Sequence, residues 1–244
     1  MGRRPRHIAL RPGRARAKLG RTMSGPVFLY LHGFASSPES GKARAFAEWG
    51  SARGVRVERL DLRVPSLEHL RFSAIKASVR EAIDAAGGER ARAVLLGSSL
   101  GGLAACRVAE EDARVCAVFL MAPAFRLAER WRLRMGNDAW EAWRRRGYTE
   151  VDDHATRRKA RIDWRFVEEL AELDAEGEGW PDVRVPTCIV HGVRDDVVDV
   201  RLSRDWATGR RHVRLVEVDD GHELAASIGR ILSEAGDFLY PFLG

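Results

Sequence analysis

The sequence predicts an α/β fold, a mostly parallel sheet covered by helices on both faces and interrupted by one helical insertion. Two observations carry this expectation. Short apolar, β-branched runs alternate with longer amphipathic stretches, the pattern of successive strand–helix units. Several runs, such as Val115–Met121, are apolar almost without a break, as strands buried on both faces must be.

The strand candidates are Val27–Leu31, Val55–Leu60, Ala93–Leu96, Val115–Met121, Thr187–Val190 and Val213–Val218. Helical patterns fall near 41–53, 67–86, 100–111, 201–208 and 223–236. Between Ala122 and Pro186 the rhythm breaks, with no convincing strand. Five of the seven tryptophans lie there: Trp131, Trp140, Trp143, Trp164 and Trp180. This segment reads as two or three amphipathic helices around a loop near 147–156, too long for one crossover. The expected organisation is a basic, disordered arm over 1–22, with Met23 as an alternative start. An α/β core follows over 23–123 and 183–244, with a helical cap over 124–182 that covers the site.

Charge narrows the partners. The net charge is +6, but residues 1–22 alone carry +8, so the remaining 222 residues carry −2. A body of that charge is a poor phosphate-binding surface, and no nucleic-acid partner is expected. No run approaches the roughly 18 apolar residues of a membrane span. The three cysteines, Cys106, Cys116 and Cys188, sit in apolar stretches at long spacings. They read as buried reduced thiols in a cytoplasmic protein. No CxxC, HExxH or His/Cys cluster suggests a metal, and no cofactor is expected.

The residues with chemistry on them lie at strand ends. Gly97-Ser98-Ser99-Leu100-Gly101 follows the strand Ala93–Leu96 and opens a helical pattern. This is G-x-S-x-G between strand and helix, where a sharp turn lifts the middle serine above the sheet. The glycines let strand and helix approach, and the helix N-terminus adds positive potential where an oxyanion would form. Ser98 does not fit this register, because residue 96 is Leu.

At the end of the first strand, Leu31-His32-Gly33-Phe34 lets the chain turn back over the serine. The backbone N–H groups of Phe34 and Leu100 are the expected oxyanion donors, and His32 is read as a structural residue bonded within the loop. A hydroxyl nucleophile needs a base, and the base an orienting acid. His222 follows the strand Val213–Val218 and is expected to begin the last helix. The acid is expected in His191-Gly192-Val193-Arg194-Asp195-Asp196-Val197-Val198. The pattern H-G-x-x-D-x-x-V selects Asp195, with Asp196 as a helix cap or a partner for Arg194.

Together these motifs resemble the α/β-hydrolase superfamily. Tyr30-Leu31-His32-Gly33-Phe34-Ala35-Ser36-Ser37-Pro38 and the residues after it resemble more narrowly the YqiA/YcfP-like bacterial esterases. The likeness runs from about residue 26 to 240, with the motifs in family order. It implies ester or thioester hydrolysis through Ser99, His222 and Asp195 on a small acyl substrate. A thioesterase and a non-catalytic binding protein on the same fold remain the alternatives.

Overall fold

The computed structural model describes residues 25–175 and 179–243. The basic arm expected over 1–22 lies outside them. Six strands form one parallel sheet: β1 (Val27–Leu31), β2 (Val57–Leu60), β3 (Ala93–Ser98), β4 (Val115–Met121), β7 (Thr187–Gly192) and β8 (Val213–Val218). Their order is β2-β1-β3-β4-β7-β8, which puts the serine-bearing β3 near the centre.

The period of two along each strand divides the core between the faces. Phe28 and Tyr30 of β1, with Val94 and Leu96 of β3, join Phe46 and Trp49 of α1 (Gly41–Ser51) and Ile231, Ala235 and Leu239 of α8 (Ile228–Leu239). The intervening Leu29, Leu31 and Leu95 face the other way. There they pack against Ile75, Val79 and Ile83 of α2 (Phe72–Gly87), Leu103 of α3 (Leu100–Glu111) and Trp206 of α7 (Val200–Ala207).

Strand and helix positions follow the sequence closely, with local shifts. β2 starts at Val57 rather than Val55, because the Val55 N–H closes the end of α1 on the Gly50 carbonyl at 3.0 Å. The last helix begins at Ile228, not near 223. Residues 222–227 form turns, with Leu224 at φ 54°, so His222 lies ahead of the helix rather than at its start.

The segment between β4 and β7 holds α4 (Leu127–Met135), α5 (Asn137–Arg146), β5 (Tyr148–Asp153), β6 (Arg158–Asp163) and α6 (Trp164–Ala175). The antiparallel β5–β6 hairpin corrects the reading of this stretch as strand-free. Its strands are charged and mostly exposed, so they lack the apolar alternation that marks a strand in sequence. Val151 and Ile162 anchor it on the core, and on the exposed side Glu150 lies opposite Arg161 and Lys159 pairs with Asp152 at 2.7 Å. Asp153 closes the turn, accepting from the N–H of Ala155 at 3.0 Å and the Thr156 hydroxyl at 2.9 Å. The helices of this segment share the core of the sheet, since Trp140, Trp143, Phe166 and Leu170 pack in the cluster that holds Leu95 and Leu120.

The tightest packing is at the β3–α3 turn. A Cβ at Gly101 would land on the Leu31 carbonyl oxygen, and one at Gly97 would lie 2.5 Å from the Gly101 carbonyl oxygen. We expect Gly101→Ala to cost more than the roughly 1–3 kcal/mol of ordinary overpacking, because the clash is with backbone. Urea unfolding checks this, and a variant with unchanged midpoint would contradict the packing described.

Candidate active site

Ser99 sits between β3 and α3 at φ 52°, ψ −116°, a conformation costly for any residue with a side chain. Neighbouring elements hold it there. Its N–H donates to the Met121 carbonyl at 2.9 Å, and its carbonyl accepts from Gly102 at 2.9 Å and Ala124 at 3.0 Å. The result is a serine hydroxyl at the carboxyl edge of the sheet.

The Ser99 hydroxyl lies 3.0 Å from His222 Nε2, and His222 Nδ1 lies 2.7 Å from Asp195 Oδ2. The carboxylate is an acceptor, so Nδ1 carries the proton and Nε2 is free to accept from the serine. Sequence reasoning named all three, and the structure brings them into one hydrogen-bonded line across 123 residues. The Asp195 side chain has no exposure. Burial alone would raise its pKa. Hydrogen bonds from His191, His222 and the Val198 N–H outweigh that and hold it well below the usual carboxylate range.

Gly192 allows the approach of the two loops. A Cβ there would strike the Asp220 carbonyl just before His222, so the glycine of H-G-x-x-D is needed where β7 passes the histidine turn. The adjacent Asp196 takes neither role expected of it. Arg194 pairs with Asp219 at 3.0 Å, and Asp199 caps α7 by accepting from the Arg201 N–H at 2.9 Å.

His191 is a site residue the sequence reading passed over. It is fully buried. Its Nε2 faces two acceptors, the Val198 carbonyl at 2.9 Å and Asp195 Oδ2 at 3.2 Å, so that nitrogen is protonated. Nδ1 then accepts from the buried Ser203 hydroxyl at 2.8 Å. Asp195 Oδ1 meanwhile accepts from the N–H groups of Val197 at 2.9 Å and Val198 at 2.7 Å. The only hint in the sequence was the motif itself, in which His191 looked like the end of a strand.

The loop after β1 passes directly over the serine, since a Cβ on Gly33 would meet the Ser99 Cβ at 3.4 Å. Leu100 is the first residue of α3, so its N–H has no partner inside the helix. The Phe34 N–H has no acceptor among the described residues. His32 is structural, as expected: it accepts the Leu62 N–H at Nε2, 3.0 Å, and Nδ1 donates to the Gly33 carbonyl at 2.8 Å. Burial lowers its pKa, in keeping with this neutral form.

Ser99 and His222 open into a cavity of about 800 Å³. Phe34, Leu127, Trp131 and Val197 supply apolar wall, and Lys42, Arg130 and Glu223 supply charge. Of the insertion's tryptophans, Trp131 lines this cavity, packing edge-on to Phe34 at 5.0 Å. Trp140, Trp143 and Trp164 pack on one another instead. Among the described residues no group of three His, Cys, Asp or Glu side chains is arranged to hold a metal ion. No helix among them is long and apolar enough to cross a membrane.

Sheet order, serine turn and loop placement are those of the α/β-hydrolase fold, and solved structures of that fold superpose along most of the chain. α/β-Hydrolase domain-containing protein 10 from mouse matches with a TM-score of 0.73 at 19% identity, covering 90% of this chain and 92% of that one. Est1E from Butyrivibrio proteoclasticus matches at 0.72 and 21%, covering 90% and 88%. The esterase domain of a Rhodothermus marinus protein matches at 0.63 and 22%, covering 91% and 90%. No curated protein matches the sequence. Residues 27–239 match the model of the uncharacterised protein family UPF0227, and the chain belongs to that family, which is YqiA-like.

The depressed pKa of Asp195 fixes a sign. Its stabilising contribution is full above the unfolded carboxylate value of about 3.9 and is lost as pH falls toward the folded value. Melting temperature should therefore fall less steeply below about pH 4 in Asp195→Asn than in the parent protein. Equal slopes would show that the carboxylate is not held by these donors.

Proposed function

We propose that this chain is a cytoplasmic serine hydrolase that cleaves carboxylic esters of small to medium acyl groups, without a cofactor. The observation that carries the reading is the 3.0 Å contact between Ser99 Oγ and His222 Nε2, made at a serine held in a strained turn. His222 takes the proton as Ser99 attacks the acyl carbonyl. Asp195 fixes the imidazole tautomer and stabilises its charged form. The N–H groups of Phe34 and Leu100 receive the oxyanion of the tetrahedral intermediate. The alcohol leaves with the proton from His222. Water, activated by the same imidazole, then releases the acid from the acyl-enzyme.

The substrate range follows from the cavity. About 800 Å³ lies within the usual span of small-molecule sites, and the aromatic wall of Phe34 and Trp131 suits an apolar acyl chain of limited length. Three free cysteines support the cytoplasmic placement.

Ser99→Ala is expected to lower p-nitrophenyl acetate hydrolysis by at least ~10³-fold while circular dichroism stays native. Asp195→Asn should cost far more than Asp196→Asn. Persistent turnover in Ser99→Ala, lost in Ser98→Ala instead, would overturn the assignment.

A further inference from the structure

Arg130 is one of three charged residues in the cavity wall that the proposed chemistry does not use. It lies in the first turn of α4, beside Trp131 and Leu127, and lines the same cavity as Ser99. Its guanidinium donates to the Phe125 carbonyl at 3.1 Å and the Val197 carbonyl at 3.0 Å. Among the described residues no carboxylate forms an ion pair with it. Arginine has five N–H donors, so three remain beyond these two carbonyl bonds.

The charges nearest it in the Ser99 cavity are already committed, while Asp196 and Asp205 line the neighbouring cavity on its other side. Lys42 and Glu223, the other charged residues of the cavity wall, pair with each other at 3.4 Å, and the Lys42 ammonium also donates to the Glu223 carbonyl at 2.9 Å. Asp195 is saturated by His191, His222 and two backbone N–H groups. Asp174 accepts from the N–H groups of Ala128 at 3.0 Å and Glu129 at 3.2 Å. Arg130 thus has no direct ion-pair partner in a cavity with aromatic walls, the opposite charges that act on it being the hydrogen-bonded Asp195 and Asp174. Burial already lowers the pKa of Arg130, the mark of a cation short of solvent. Burial of a cation is costly, and an anion entering the cavity would give it the direct partner that Asp195 and Asp174 do not provide.

We propose that Arg130 is a specificity-determining residue that binds a carboxylate on the ester substrate, so that the site favours anionic esters over neutral ones of the same shape. The planar guanidinium suits a carboxylate, which it can bind with two parallel hydrogen bonds. The inference rests on Ser99 being the nucleophile. The carboxylate can lie on the acyl side or on the leaving group, and two ester pairs separate these sources. One is p-nitrophenyl hemiglutarate against its methyl ester. The other is 4-(butyryloxy)benzoate against its methyl ester.

Within each pair, the ratio of kcat/KM for the charged ester over the neutral one is the readout. In the parent protein this ratio should exceed one for at least one pair, through KM, and should fall as salt is raised. In Arg130→Gln that ratio should drop at least ~10-fold, with partial recovery in Arg130→Lys. A ratio unchanged by the substitution in both pairs would make Arg130 a clamp between Phe125 and Val197 and would overturn the proposal. The salt series uses the unaltered protein, so a variant that fails to fold leaves the claim exposed, and a ratio insensitive to salt counts against it. Binding of monomethyl glutarate to Ser99→Ala, followed by calorimetry, needs no turnover. Loss of that binding on adding Arg130→Gln supports the carboxylate site even if Ser99 is not the nucleophile, and binding unaffected by Arg130→Gln counts against it.

Discussion

The constraint on which the rest of the structure depends is the backbone of Ser99. A residue with a side chain sits at φ 52°, ψ −116°, and strand and helix meet there with no room for a Cβ at Gly97 or Gly101. That geometry survives because the two neighbouring strands hold it together. β4 accepts the Ser99 N–H through Met121, the chain after β4 donates to the Ser99 carbonyl through Ala124, and the Leu31 carbonyl of β1 lies against Gly101. Strain of this kind persists only where its surroundings over-determine it. The loop after β1 and the start of the insertion after β4 are placed by those same contacts.

A second centre forms around the Asp195 carboxylate. Four donors converge on it, from two histidines and two backbone amides. His222 reaches Ser99 from there, while His191 ties the carboxylate back to Ser203 of α7. The insertion joins this arrangement through Arg130, which bridges the Phe125 carbonyl and the Val197 carbonyl of the acid loop. It is therefore coupled to the sheet both through a shared apolar core and through the loop that bears the acid.

The parallel sheet was legible because its strands are buried on both faces and announce themselves as apolar runs such as Val115–Met121. Ser99 and Asp195 were legible because their motifs encode local backbone demands, a turn with no room beside it and a glycine under a crossing loop. The β5–β6 hairpin was not, since its buried face is short and carried by few apolar residues, Val151 and Ile162, among charged and exposed ones. The start of the last helix was misplaced because Leu224 adopts a positive φ that no residue type there signals. His191 became visible only in three dimensions, and so did the choice of Arg130 among the seven arginines of 126–146. His191 is defined by the carboxylate across from it, Arg130 by its place in the wall of the Ser99 cavity.

The central claim is that Ser99 is an activated nucleophile, its hydroxyl polarised by His222. Covalent labelling by a fluorophosphonate, mapped by mass spectrometry of the digested protein, tests it most directly. A single adduct on the peptide containing Ser99, formed at least ~10²-fold more slowly in His222→Ala, is the expected result. An adduct at another residue, or none on natively folded protein, would contradict it.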